Sequence, residues 1–236
     1  MKKTISIILI AVFAAVLGAS TYFIVRHNKE ADKQAELYHN LASVVEAAAQ
    51  TDAEAEPTEP IPYSEEKTIL PELAELFGQN GDLVGWISIA DTNINYPVVQ
   101  TNNNSKYLNT LFDGTSNASG AIFLDSDDTA PGMVDQQTTI YGHHMNDGSM
   151  FNVISDTTDQ ATFDSIEYVY YITRDATYKL RPLATKVVED TYAKARATNF
   201  EGDDGLTSYL SEMLDGASAV ASDAGDRAAS ATKVVT

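Results

Sequence analysis

The segment 138–151 (TTIYGHHMNDGSMF) holds the side chains of this chain that are best suited to moving protons near neutral pH. His143 and His144 follow a predicted strand that ends at Tyr141, and histidine has the ordinary pKa closest to neutrality. Successive side chains of an extended strand point to opposite faces, so at most one of the two can face a given pocket. We predict an acid–base role for His143. A bare pair of histidines also occurs as ordinary surface or hydrogen-bonded residues, and that alternative stays open at this point.

The absence of cysteine is the second informative feature, because no cysteine occurs among the 236 residues. A disulfide framework and a thiolate metal site are therefore excluded. The G-x-S-x-G pattern of serine hydrolases is absent, as are the P-loop and the dinucleotide-binding glycine pattern. A histidine alone has no acyl carrier to activate, so nucleophilic catalysis would need a residue that the sequence does not contain.

Metal binding is the main alternative for the histidine segment. Its candidate ligands combine the two histidines with nearby aspartates, namely His143, His144, Asp147, Asp125, Asp127 and Asp128. Neighbouring histidines lack the i, i+4 spacing of a helical zinc motif, and H-E-x-x-H does not occur. The aspartate run lacks the glycine and the distal glutamate of a calcium loop. We therefore predict no metal and no other cofactor.

Composition limits the partners of the chain. Thirty-four acidic residues against 15 basic ones give a formal net charge of −19. A phosphate backbone requires a basic surface, so nucleic acid is excluded as a partner. The length allows one substantial domain with appendages.

An apolar run at the amino terminus predicts a membrane anchor over residues 1–28. Thr4–Val25 contains no charged residue, follows Lys2 and Lys3, and ends before Arg26. As a helix it would extend about 33 Å, enough to cross a hydrocarbon core of about 30 Å. A cleaved signal peptide is the alternative, although its apolar core is usually shorter, about 7–15 residues.

Residues 29–66 predict a helical stalk and a linker between the anchor and the domain. The part from 29 to 56 is rich in alanine, glutamate and glutamine, which favour helix. Prolines between 57 and 62 end that helix and predict an extended, solvated connection. The domain proper is predicted to cover residues 67–236.

The hydrophobic period changes to two from residue 82 onward, which is typical of strands. The predicted strands cover residues 84–89, 94–99, 120–124, 137–141, 167–173, 176–188 and 232–236. Short helices are predicted at residues 71–77, 107–112 and 205–214, and an exposed loop at 217–231. Many short strands with few helices predict a mainly β domain, an antiparallel barrel or sandwich.

Five groups of residues, in this order along the chain, resemble class B sortases, the membrane-anchored cysteine transpeptidases of Gram-positive bacteria. The groups are Asn80–Ile89, Ile94–Gln100, Tyr107–Asn109, Gly120–Asp125 and Ile140–Phe151. Each group is weak by itself, and their common order makes the resemblance specific. It extends from about Leu76 to the last residue.

The resemblance implies a sortase-like antiparallel β-barrel on the outer side of the cell membrane, behind a single membrane-spanning helix. It implies cleavage of a carboxy-terminal sorting signal of the Leu-Pro-x-Thr-Gly or Asn-Pro-x-Thr-Asn kind after the threonine. The threonine acyl group would then pass to an amine of a cell-wall precursor or of a pilin, in cell-wall anchoring or pilus assembly. By motif position, His143 corresponds to the catalytic histidine of the family.

The chain departs from the family at its end. Family members carry the nucleophilic cysteine at the end of a strand and an arginine on the next one, whereas this sequence ends Lys233–Thr236. Arg227 precedes that strand, so it is not the expected arginine. We interpret the chain as a sortase whose last strands, cysteine and arginine are missing, and which is inactive as given. The alternative is a noncatalytic, membrane-tethered protein that binds sorting signals without cleaving them.

Overall fold

A computed structural model describes residues 2–52, 71–174 and 176–236, without the side chains of 2–9, 11, 47–52, 71 and 72. The helices are α1 (Lys2–Asp52), α2 (Pro71–Gln79), α3 (Asn152–Asp156), α4 (Gln160–Ser165), α5 (Gly205–Leu214) and α6 (Ala224–Ser230). The strands are β1 (Leu83–Ile89), β2 (Asn95–Val99), β3 (Ile122–Leu124), β4 (Gln137–Thr138), β5 (Ile140–Tyr141), β6 (Val169–Thr173), β7 (Thr177–Leu180), β8 (Ala184–Thr185), β9 (Ala219–Val220) and β10 (Val234–Val235). Two 3-10 helices cover Lys106–Leu108 and Ala193–Arg196.

The amino-terminal part is one long helix, α1, which extends without a break over the predicted anchor and most of the predicted stalk. Contacts divide the chain into two units, Met1–Asn40 and Leu41–Thr236. In the part of the chain that the structure describes, we find no helix that is both long and apolar enough to cross a membrane. The predicted span Thr4–Val25 lies partly outside the described side chains. The predicted linker at 57–66 lies outside the described residues.

The second unit is built on a six-stranded sheet in the order β5-β3-β2-β1-β6-β7. Neighbouring strands pair antiparallel, except that β2 and β3 are parallel. Residues 100–121 connect the end of β2 to the start of β3 and return the chain to the end of the sheet at which β2 begins. Two smaller sheets pair β4 with β10 in parallel and β8 with β9 antiparallel. The predicted β domain is therefore confirmed as a half-barrel sheet with short helices, and not every strand pair is antiparallel.

Several predicted elements differ from those observed. The predicted strand 176–188 is two short strands, β7 and β8, and the predicted helix 107–112 is only the 3-10 turn at Lys106–Leu108. Helix α2 continues two residues past the predicted end at Phe77. Helix α5 has the predicted bounds.

The prediction of an exposed loop at 217–231 is wrong, because this segment contains β9 and α6. Four of its alanines are buried: Ala219, Ala221 and Ala224 lie in one apolar cluster with Phe163, and Ala228 lies in another with Leu210. A segment of small residues has no pattern of large apolar side chains, so the sequence contained little signal for its burial.

Trp86 on β1 and Tyr171 on β6 lie at the centre of the sheet and are among the most completely buried side chains described. Both polar ends are satisfied: Trp86 Nε1 donates to Asn95 Oδ1 at 2.7 Å, and Tyr171 Oη donates to the Pro131 carbonyl at 2.6 Å. A Cβ at Gly85 would lie 2.7 Å from the carbonyl of the neighbouring strand and 3.0 Å from the Tyr171 ring. The small residue on β1 therefore makes room for the large one on β6.

A buried ion pair joins the end of β3 to the 3-10 helix Ala193–Arg196. Asp125 is fully buried and accepts hydrogen bonds from Arg196 Nε at 2.7 Å, Arg196 Nη2 at 3.1 Å and Tyr141 Oη at 2.6 Å. Burial alone would raise the pKa of Asp125, but the bonds from Arg196 and Tyr141 outweigh it and hold the pKa well below its usual range. The network fixes the strand that leads to His143, because Tyr141 ends that strand.

The predicted strand 137–141 is divided at Thr139, whose main chain is bonded to an aspartate turn. Thr139 N donates to Asp128 Oδ2 at 2.6 Å, and the Thr139 carbonyl accepts from Asp125 N at 2.9 Å. Burial raises the pKa of Asp128 to about 6, against the bond from the Thr139 amide. A side-chain acceptor has therefore taken the place of a strand neighbour, which explains why β4 and β5 are separate.

We predict that Asp125→Asn lowers the free energy of unfolding at pH 7 by about 1–3 kcal/mol, since it removes the buried charge that accepts hydrogen bonds from the half-exposed Arg196 and from Tyr141. Asp127→Asn is the matched control. Asp127 also pairs with Arg196, at 3.3 Å, but its side chain is exposed, so this substitution should lower the free energy of unfolding by less than about 1 kcal/mol. Urea unfolding of the purified variants measures both.

The depressed pKa of Asp125 also fixes the pH dependence of its contribution. The stabilisation is complete above the ordinary pKa of about 3.9 and is lost as the pH falls below that value. The difference between the native chain and Asp125→Asn should therefore shrink from pH 7 toward about pH 2. Equal losses in the two variants at pH 7, or a difference that grows in acid, would contradict the assignment.

Candidate active site

His143 is placed by strand β5 and by a glycine that leaves it no alternative position. β5 pairs antiparallel with β3, and Gly142 joins it to the histidine. A Cβ at Gly142 would lie 2.5 Å from Ile122 Cδ1 and 2.6 Å from the Phe151 ring. The chain therefore passes through an apolar gap that fits only glycine, and the half-buried His143 stands where the strand leaves the sheet.

A main-chain carbonyl orients the His143 ring. Nδ1 of His143 lies 3.2 Å from the carbonyl oxygen of Ser119, a buried residue just before β3. A carbonyl oxygen can only accept, so Nδ1 carries the hydrogen and Nε2 of the neutral ring keeps its lone pair. Such an arrangement is typical of a histidine whose free nitrogen exchanges protons with another group.

His144 has a different environment. It is exposed, and its Nε2 accepts a hydrogen bond from Asn152 Nδ2 at 3.1 Å. The same Asn152 nitrogen donates to the Met145 carbonyl at 2.9 Å. The two hydrogen bonds of Asn152 tie His144 to the loop that follows it.

The loop after the two histidines is anchored to the sheet at its far end. Met150 is fully buried, and its main-chain N donates to Tyr96 Oη at 3.1 Å. Asn93 donates to the Gly148 carbonyl, and the Phe151 amide donates back to the His143 carbonyl at 2.9 Å. The loop that follows the two histidines is therefore fixed to the sheet beside His143.

The last strand, β10, runs beside the strand that leads to His143 and in the same direction. Val234 and Val235 face Gln137 and Thr138 in a parallel register. The pairing continues to the last residue: Thr236 N donates to the Thr138 carbonyl, and Ile140 N donates to the Thr236 carbonyl, both at 2.8 Å. The end of β10 is therefore directed toward the histidine.

Gln137 fixes this strand pair from the side and was not anticipated from the sequence. It is completely buried, and its Nε2 lies 2.9–3.3 Å from three main-chain carbonyls around the 3-10 helix Ala193–Arg196. Its Oε1 accepts from Thr236 Oγ1 at 3.1 Å. A single glutamine without a motif around it carries no pattern from which this contact could be inferred.

The side chains proposed as alternative metal ligands are held by other contacts. Asp125 is bonded to Arg196, and Asp128 accepts from the Thr139 amide. Asp147 accepts from its own turn, from Ser149 N at 2.9 Å and Ser149 Oγ at 2.6 Å. In the ranges 2–52, 71–174 and 176–236, no group of three or more histidine, aspartate and glutamate side chains could hold a metal ion.

The described arginines do not reach His143 through any contact observed. Arg227 lies in α6, where its Nη1 donates to the Pro182 carbonyl at 2.5 Å and its Nε is paired with Asp223. Arg196 is bonded to the buried Asp125. The expectation that Arg227 is not the family's arginine agrees with this position.

Two curated sortases are similar to this chain, and no protein-family model matches it. Sortase B of Staphylococcus aureus is 30% identical over 146 residues, which are 61% of this chain and 58% of that protein. Sortase B of Listeria monocytogenes is 44% identical over 80 residues, 34% of this chain and 32% of that protein. Each match therefore spans less than two thirds of the curated relative.

Solved structures extend the similarity to the fold. A Staphylococcus aureus sortase B–substrate complex superimposes with a TM-score of 0.70 at 25% identity, covering 82% of this chain and 83% of that one. A sortase B complexed with triglycine gives a TM-score of 0.66 at 25% identity, with 81% and 83% covered. By sequence and by fold, the chain is similar to sortase B proteins, and the residues given contain no cysteine.

Proposed function

We propose that this chain supplies the anchor, the fold and the acid–base residue of a class B sortase, a cysteine transpeptidase whose nucleophile is carried by residues beyond Thr236. The observation that carries the proposal is the parallel pairing of β10 with β4. In that register a continuing strand would be opposite His143 about four residues past Thr236. Adjacent strands lie about 4.8 Å apart, so a cysteine side chain there would be within reach of the histidine.

The geometry of His143 suits both halves of such a reaction. The cysteine thiol would first give its proton to His143 Nε2, which leaves a thiolate beside a protonated ring. The thiolate would attack the carbonyl of the sorting-signal threonine, and the leaving amine would take that proton from Nε2 as the peptide bond breaks. The incoming amine would then give its proton to Nε2 as it displaces the thiolate from the thioester. Ser119 would hold Nδ1 throughout, so that only Nε2 exchanges protons.

The partners follow from the relatives. One is described as a complex with substrate and another as a complex with triglycine, a peptide with a free amine. We infer that this chain accepts surface proteins with a carboxy-terminal sorting signal. Its amine acceptor would be a cell-wall precursor or a pilin.

The domain division proposed for this function is an anchor at 1–28, a stalk and linker at 29–66, and a sortase domain at 67–236. The apolar composition of Thr4–Val25 supports a single-pass anchor, and the resemblance to class B sortases implies that the domain lies outside the cell. We infer that the completed domain would be a closed barrel, in which strands after β10 would extend the β4–β10 pair.

A second candidate function is a noncatalytic sortase-like protein that binds sorting signals. The observation that favours it is the absence of cysteine from all 236 residues. Without a thiolate the fold could still hold a peptide, and His143 would then orient it rather than exchange protons with it.

We predict that the chain of residues 1–236 does not cleave a fluorogenic sorting-signal peptide at any pH, because it has no acyl carrier. The matched sample is the same chain continued through its own coding sequence to a cysteine, which should cleave the peptide and transfer the acyl group to an added amine. Cleavage by residues 1–236 that His143→Ala abolishes would contradict the proposal and indicate a different chemistry.

In the continued chain, we predict that His143→Ala lowers the turnover number by about 10²–10⁴-fold, the usual cost of losing a positioned acid–base group. His144→Ala should cost less than about tenfold, because this side chain is bonded to Asn152 and stabilises a loop. Turnover of both variants on one peptide, with folding checked by circular dichroism, measures the difference. An inactive His144→Ala beside a nearly normal His143→Ala would reverse the assignment.

We predict that protease added to intact protoplasts digests the domain, because the uncleaved anchor would hold residues 29–236 outside the cytoplasm. A cytoplasmic marker protein should stay intact in the same sample and be digested only after lysis. Protection of the domain in sealed cells would contradict the outward orientation.

A further inference from the structure

The carbonyl that orients His143 belongs to a short turn, 117–120, in which the Asn117 side chain bonds the main chain. Asn117 is buried, and its Oδ1 accepts a hydrogen bond from Ser119 N at 2.9 Å. The Asn117 carbonyl accepts from Gly120 N at 3.1 Å. The second bond fixes the peptide group that contains the Ser119 carbonyl, and the first fixes the peptide group before it, so the carbonyl has one direction.

The far side of the turn is also fixed. Gly120 has a φ of +58°, and a Cβ there would lie 2.2 Å from the Tyr107 carbonyl oxygen. The next residue, Ala121, donates its N–H to that same carbonyl at 3.0 Å before β3 begins. The turn is thus held between the 3-10 helix Lys106–Leu108 and the sheet, and the Asn117 side chain bonds the Ser119 amide.

We propose that Asn117 is a positioning residue, which fixes the Nδ1–H tautomer of His143 by holding the Ser119 carbonyl against the ring. The importance of this tautomer for catalysis rests on the proposed acid–base role of His143. The tautomer itself can be present whether or not the chain is an enzyme. Without a fixed acceptor at Nδ1, water could bond to either ring nitrogen, and the proton would divide between them. Only the form with a free Nε2 could accept a proton from an incoming amine.

The test is the tautomer of His143, read by long-range proton–nitrogen correlation on chain 1–236 labelled with nitrogen-15 histidine. The spectrum is recorded at about pH 8.5, above the ordinary histidine pKa of about 6.5, so that neutral rings dominate. In the native chain we expect His143 as the Nδ1–H form. In Asn117→Ala the ratio of Nδ1–H to Nε2–H should fall about three- to tenfold, the effect of losing one neutral hydrogen bond.

Two variants separate positioning from general damage to the fold. Asn117→Asp keeps the acceptor that bonds Ser119 N, so it should restore the native tautomer ratio. Asp113→Ala is the matched control, because Asp113 Oδ1 accepts from Thr115 N at 2.8 Å in the same kind of turn, and its described contacts include neither the Ser119 turn nor the 3-10 helix Lys106–Leu108. His144, which is bonded to Asn152, serves as an internal reference and should not change in any variant.

The outcomes decide the proposal in each case. A native chain in which neutral His143 carries its proton on Nε2 overturns it even if Asn117→Ala fails to fold. An unchanged ratio in a folded Asn117→Ala overturns it too, as does an equal loss in Asp113→Ala. Transpeptidation is not needed for any of these spectra, so they stay informative if the proposed enzyme activity is not found.

Discussion

The parallel pairing of β10 with β4 is the constraint on which the rest of the site depends. It directs the last residues of the chain toward the histidine at the end of β5, and Gln137 secures it from the side. A parallel neighbour must arrive from a distant part of the chain. Here β8, α5, β9 and α6 bring it back, which gives these short elements a role in positioning the site.

Main-chain groups, rather than a network of charged side chains, hold His143 in place. The ring is bonded to the Ser119 carbonyl, its own carbonyl accepts from Phe151, and Gly142 threads an apolar gap before it. The charged groups nearby have another task, since Asp125 and Arg196 pair to brace Tyr141 at the end of β5. The charged residues therefore support the strand, and the observed contact of the His143 ring is with a neutral carbonyl rather than with a carboxylate.

Sequence patterns predicted the elements with strong periodicity and missed those that depend on tertiary contacts. The alternation in β1 and β2 and the bounds of α5 were evident, whereas the acid–base role of His143, taken from its motif position, stays a prediction. The division at Thr139 was not, because it results from an aspartate side chain that lies eleven positions earlier. β9 and α6 bury alanines, and Asn117 and Gln137 act through main-chain groups, so none of them leaves a periodic or spaced signal.

The central claim is that a cysteine follows Thr236 in the register of β10. The most direct measurement is the coding sequence downstream of the Thr236 codon in the source genome. The account predicts an open frame with a cysteine about three to five residues past Thr236, beside His143, and an arginine on the strand after it. A stop codon directly after Thr236, or an open frame without a cysteine in that stretch, would contradict the transpeptidase and favour the noncatalytic binding protein.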